Sequence, residues 1–85
     1  MDLQQTLRHV GAESLTPMQQ EAYARGLHGE SFVLLSPTGS GKTLAYLLAL
    51  CGRCNAAADA LQAVVVVPSR ELAAQSEAYF RRMKV

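Results

Sequence analysis

At 85 residues the chain is shorter than the usual α/β domain, which excludes a large self-contained enzyme and leaves room for one compact unit or part of one. Its 49% hydrophobic and 18% charged residues exclude a disordered or collagen-like chain. A formal charge of +1 excludes steering of nucleic acid or acidic membranes by overall field, so any polyanion contact must come from local geometry.

Leu3, Leu7 and Val10 recur at helical spacing ahead of Gly11, and they predict a short helix over 2–10. Thr16 stands in a capping position before Pro17, and Met18, Ala22 and Leu27 continue an apolar stripe up to Gly29. That pattern predicts a helix over 17–27. Residues 31–35, SFVLL, form a short apolar run between Gly29 and a Ser/Pro/Thr/Gly cluster, the pattern of a buried strand. From Lys42 the period changes, and Leu44, Leu47, Leu48 and Cys51 fall in helical register as far as about Cys54. Residues 55–61 read as a loop, and the β-branched run AVVVV at 63–67 predicts a second buried strand. Pro68 closes it, Ser69 is placed to cap, and Leu72, Ala73, Ser76, Tyr79, Phe80 and Met83 stripe a last helix.

Strand and helix alternation predicts an α/β fold, with parallel strands and flanking helices. Two strands do not make a stable parallel sheet, so the chain reads as part of a larger domain. Its free form is expected to be unstable or to self-associate through the unpaired edges 32–35 and 64–67.

Cys51 and Cys54 make a single C-x-x-C. A zinc site would need two more ligands, and His9 and His28 are the only histidines. The pair falls near a helix end and not at the N-terminus that would activate a redox thiol, so it reads as two reduced thiols. That implies a reducing compartment, with the cytoplasm expected because MDLQQTLRHV has no signal-peptide core and no apolar stretch is long enough to span a bilayer.

The strongest signal is SPTGSGKT at 36–43, between a predicted strand and a predicted helix. It is nearly G-x-x-x-x-G-K-[ST], with Ser36 in the slot of the first glycine. Glycines at 39 and 41 let backbone N–H groups turn inward as a nest, and the helix N-terminus beyond adds partial positive charge. In that geometry Lys42 reaches the β- and γ-phosphates and the Thr43 hydroxyl ligates Mg²⁺.

Three stretches in order, GAESLTPMQQEA at 11–22, SPTGSGKT at 36–43 and PSRELAAQ at 68–75, resemble the Q motif, motif I and motif Ia of the DEAD-box ATP-dependent RNA helicases, within superfamily 2. The resemblance covers essentially the whole chain and implies the N-terminal part of a RecA-like ATP-binding domain. It implies that Gln19 reads adenine, and a carboxamide suits this because it donates and accepts at once. It implies that Thr38, Gly39, Ser40, Gly41, Lys42 and Thr43 hold ATP and Mg²⁺, with Lys42 and Thr43 serving catalysis. It also implies that Ser69 and Arg70 touch the sugar-phosphate backbone of RNA, a contact blind to base sequence. The aromatic that the family places before the glutamine has no counterpart, since its slot falls near Asp2 and Leu3.

No D-E-A-D motif occurs in the chain, so the chain by itself is expected not to hydrolyse ATP or unwind a duplex. Two other readings stay open: a superfamily-2 DNA helicase, because these motifs do not read the 2′-OH, and a non-catalytic nucleotide-binding interaction module.

Overall fold

The computed structural model describes residues 2–37, 39–55 and 57–84. Its helices are α1 (Leu3–His9), α2 (Pro17–Leu27), α3 (Lys42–Arg53) and α4 (Arg70–Met83). Local chemistry explains where each begins. The Asp2 carboxylate accepts from the N–H groups of Gln4 and Gln5, at 3.0 and 3.3 Å, and starts α1. Gly11 then leaves the helix in the left-handed region, at φ 77°. At the head of α2, Thr16 Oγ1 accepts from Gln19 N at 3.2 Å while Gln19 Oε1 accepts from Thr16 N at 2.9 Å. This is a capping box, with Pro17 supplying the first helical residue. Ser69 Oγ caps α4 by accepting from Leu72 N at 3.2 Å.

The core is built around α3, whose Leu44, Ala45, Leu47, Leu48 and Ala49 are all buried. Helix α2 crosses it closely because Gly26 has no side chain: a Cβ there would stand 2.5 Å from the Cβ of Ala49. Met83 at the end of α4 is fully buried and packs with Leu7 and Val10 at the end of α1. Two polar ties reinforce that junction. His9 Nδ1 donates to the Met83 carbonyl at 3.1 Å, and Arg82 donates to the Val10 carbonyl at 3.2 Å. Tyr46 and Ser76 join α3 to α4 through a hydroxyl–hydroxyl bond of 2.7 Å.

The α/β expectation is overturned: among the described residues the architecture is four helices with no strand and no sheet. Neither 31–37 nor 61–67 is joined by a ladder to the other or to any further segment. A strand is a property of a pair, since its N–H and C=O groups are satisfied only by a neighbour, and β-branched composition does not supply one. The alternation of a strand nonetheless survives in how the segments lie. Val33 and Leu35 are 84% and 88% exposed and Phe32 only 39%, although all of Phe32, Val33, Leu34 and Leu35 border a cleft with Met18 and Ala22 of α2. Likewise Val64 and Val66 are more exposed than Val65; Val65 and Val67 line a groove with Leu47, Leu50 and Phe80, and Val64, Val65 and Val66 border a second one with Phe32, Tyr46 and Ala49.

Candidate functional site

The turn between residue 36 and α3 is shaped by its glycines. Gly39 and Gly41 lie at φ 82° and 91°, in the left-handed region that side chains rarely adopt. Ser40 N donates to the Pro37 carbonyl at 3.2 Å, and the Ser36 and Ser40 hydroxyls bond to each other across the loop. Thr38 lies outside the described residues. The chain then enters α3 with Gly41 as its cap, no side chain covering the helix end and no acid in the first turn. Lys42 and Thr43 are its first two residues, both partly exposed. An uncapped end of this kind presents unpaired N–H groups and positive potential outward, a setting suited to an anion.

Gln19 is brought onto this loop. It is 6% exposed, and its Nε2 donates to the Gly41 carbonyl at 3.1 Å while its Oε1 completes the α2 capping box. A Cβ at position 41 would collide with that same amide nitrogen. The carboxamide therefore spends one donor and one acceptor on the fold, and retains a second N–H and a second lone pair. Sequence reasoning treated Gln19 as a ligand reader alone and missed that it ties α2 to the loop. The T-P-x-Q spacing at 16–19 carried the signal, since Gln three residues after a Thr cap is the capping-box pattern.

A cleft of about 730 Å³ opens between the loop and α4. Gly39, Gly41, Lys42 and Thr43 form one wall, and Leu72, Gln75, Tyr79 and Arg82 the other. A smaller cleft of about 310 Å³ continues from Lys42 and Thr43 toward Tyr46, Val67 and Ser76. The sequence pattern places Tyr79 on the apolar stripe of this helix and singles out neither Gln75 nor Arg82; the spacing 72, 75, 79, 82 is that of one helix face and groups all four. Tyr79 does pack partly on the core, but it also carries the Arg82 guanidinium 5.3 Å above its ring. Ser69 and Arg70 stand apart: Arg70 is exposed, the Ser69 hydroxyl is occupied as a cap, and neither lines the two clefts that Lys42 borders.

Cys51 and Cys54 are both free, the first half-buried in α3 and the second exposed at its end. Burial pushes the Cys51 thiol up, and Cys54 beside it adds to the effect. Among the described residues no group of three His, Cys, Asp or Glu is placed to hold a metal ion, and no helix is long and apolar enough to cross a membrane.

Comparison with known proteins decides the family. The model of the DEAD/DEAH box helicase family matches residues 16–84, which spans the capping box, the glycine loop and the whole of α4. The chain belongs to the DEAD/DEAH box helicase family. It is 44% identical over 73 residues to the DEAD-box ATP-dependent RNA helicase CshC of Bacillus cereus, a match covering 86% of this chain and 19% of that protein. It is 35% identical over 74 residues to the DEAD-box ATP-dependent RNA helicases CshA of Bacillus licheniformis and Bacillus subtilis, covering 87% of this chain and 15% of each. The chain thus spans less than a fifth of the length of these curated relatives. No solved structure matches it.

Proposed function

We propose that this chain is the nucleotide-binding portion of an ATP-dependent RNA helicase. The observation that supports it is the joining of Gln19 to a glycine-shaped loop at the uncapped head of α3, with Lys42 as the first helical residue. The residues present fit a bound nucleoside triphosphate. The loop leaves open space at Gly39, where a Cβ would meet nothing within 4 Å, and the adjoining cleft is of ligand size. Gly39, Ser40, Gly41 and Lys42 would hold the phosphates, and the remaining hydrogen-bonding capacity of Gln19 would read adenine. Thr43 supplies one hydroxyl for Mg²⁺, which characteristically takes few protein ligands beside phosphate and water. When bound, that ion would neutralise charge on the phosphate chain. Ser69 and Arg70 would contact the RNA backbone, at a place separate from the nucleotide. The chain contains no D-E-A-D motif, so hydrolysis would need acids that these residues do not supply. A cytoplasmic location goes with this reading, since free thiols such as Cys51 and Cys54 persist in a reducing compartment. The exposed residues Val33, Leu35, Val64 and Val66 would drive self-association of the free chain.

Titration of the chain with fluorescent ATP and GTP in Mg²⁺ tests this. ATP is expected to bind in preference to GTP, and Lys42→Ala to weaken it roughly 10- to 100-fold, the worth of one charge-assisted hydrogen bond. Gln19→Ala is expected to erase the preference. Wild-type affinity in a folded Lys42→Ala chain would overturn the proposal.

A further inference from the structure

The cleft beside the glycine loop has a charge imbalance that the loop alone does not explain. Among the described residues its only charged lining groups are Lys42 and Arg82, both positive, and neither takes part in an ion pair. The contrast with the neighbouring Arg81 is sharp, because that guanidinium is neutralised by Glu77 at 2.7 Å. Two cations on the walls of one cleft, with no acid among its lining groups, favour an anion lying between them. Arg82 is also held in place. One N–H donates to the Val10 carbonyl and the plane lies over Tyr79, which leaves most of its five donors unspent and little side-chain freedom to lose.

We propose that Arg82 is a second cation for the phosphate chain of the nucleotide, sharing the cleft with Lys42. This rests on the nucleotide reading above and extends it to α4, outside the three sequence motifs. Arg82 acts by direct contact with a phosphate oxygen, and Tyr79 positions it by supporting the guanidinium plane.

The test measures binding of ATP, adenosine and inorganic tripolyphosphate to the full chain and to Arg82→Gln, Arg81→Gln and Lys42→Ala. Arg82→Gln is expected to weaken ATP and tripolyphosphate about tenfold and to leave adenosine unchanged, the effect of one lost charge-assisted hydrogen bond. Arg81→Gln, which removes the same charge one residue away, is expected to change nothing. If Lys42→Ala loses ATP while a folded Arg82→Gln keeps it, the proposal for Arg82 fails and the nucleotide reading stands. If neither substitution matters, both fail. If Arg82→Gln weakens RNA binding and leaves ATP untouched, Arg82 belongs to the RNA contact and the proposal is overturned. Because Arg82 also ties α4 to α1, a measurement without mutation accompanies these: phenylglyoxal labelling of the wild-type chain, read by mass spectrometry. Tripolyphosphate is expected to protect Arg82 and not Arg81, and equal labelling of Arg82 with and without it would overturn the proposal.

Discussion

A methyl group added at position 41 meets two obstacles at once, the left-handed backbone and the amide nitrogen of Gln19. At position 39 it meets only the first. Gly39→Ala is therefore expected to cost about 1–2 kcal/mol of stability from backbone strain. Gly41→Ala should cost clearly more, because it also breaks the Gln19–Gly41 bond and displaces a buried carboxamide. Urea melts of the two variants check the order, and equal midpoints would sink it. The thiols give a second prediction at this scale. Iodoacetamide is expected to alkylate exposed Cys54 well before Cys51, whose proton is held by burial, with the two rates resolved by peptide mass spectrometry. The same shift sets a pH dependence. The unfolded chain releases the Cys51 proton at the ordinary thiol value while the folded chain keeps it, so stability falls as pH rises above that value and is unaffected below it. A melting temperature that falls no more through that alkaline range in the wild type than in Cys51→Ala would contradict the sign.

At the scale of elements, the tightest joint is the crossing of α2 and α3. Gly26 and Ala49 meet with no space for another carbon, and Gly52 likewise accommodates Leu27 and Tyr23 of α2. Gly26→Ala is expected to destabilise by about 1–3 kcal/mol through overpacking, despite the better helix propensity of alanine. Ala49→Gly in the same chain should recover part of that loss, and a double variant no more stable than Gly26→Ala alone would show that the clash lies elsewhere. The helices themselves were legible because their signals are local: Thr16-Pro17 and Ser69 announce their starts, and Gly11 an exit, within a few residues. The segments 31–35 and 63–67 were misread as strands because their signal is not local. The same apolar, β-branched letters describe a residue that wants burial, and only a partner with free backbone groups converts them into a ladder.

For the whole molecule, those unpaired segments leave large apolar side chains in water, among them Leu35 and Val66 at 88% and 89% exposure. Light scattering of the free chain is expected to show mass rising with concentration, and Val66→Lys with Leu35→Lys to reduce it. A monodisperse monomer at high concentration would refute this. Of the candidate site, the shape of the loop was legible, since Gly39 and Gly41 do lie in the left-handed region. Glycines at 39 and 41 and the lysine and threonine after them point to a phosphate from letters alone, since each residue type answers a local backbone or charge requirement. What the letters left out was the second wall, because Tyr79 and Arg82 reach the loop only after α1, α3 and α4 have packed around Met83.

The close seat of Gly26 on Ala49 also makes α2 a lever. From that pivot to Gln19 runs about 10 Å of helix, so a rocking of α2 by about 10° would swing the carboxamide by nearly 2 Å. A hydrogen bond of 3.1 Å does not survive such a displacement. A ligand that widens the glycine loop must therefore either carry the whole of α2 with it or release Gln19 from Gly41, and the second outcome frees the amide at the moment the loop fills.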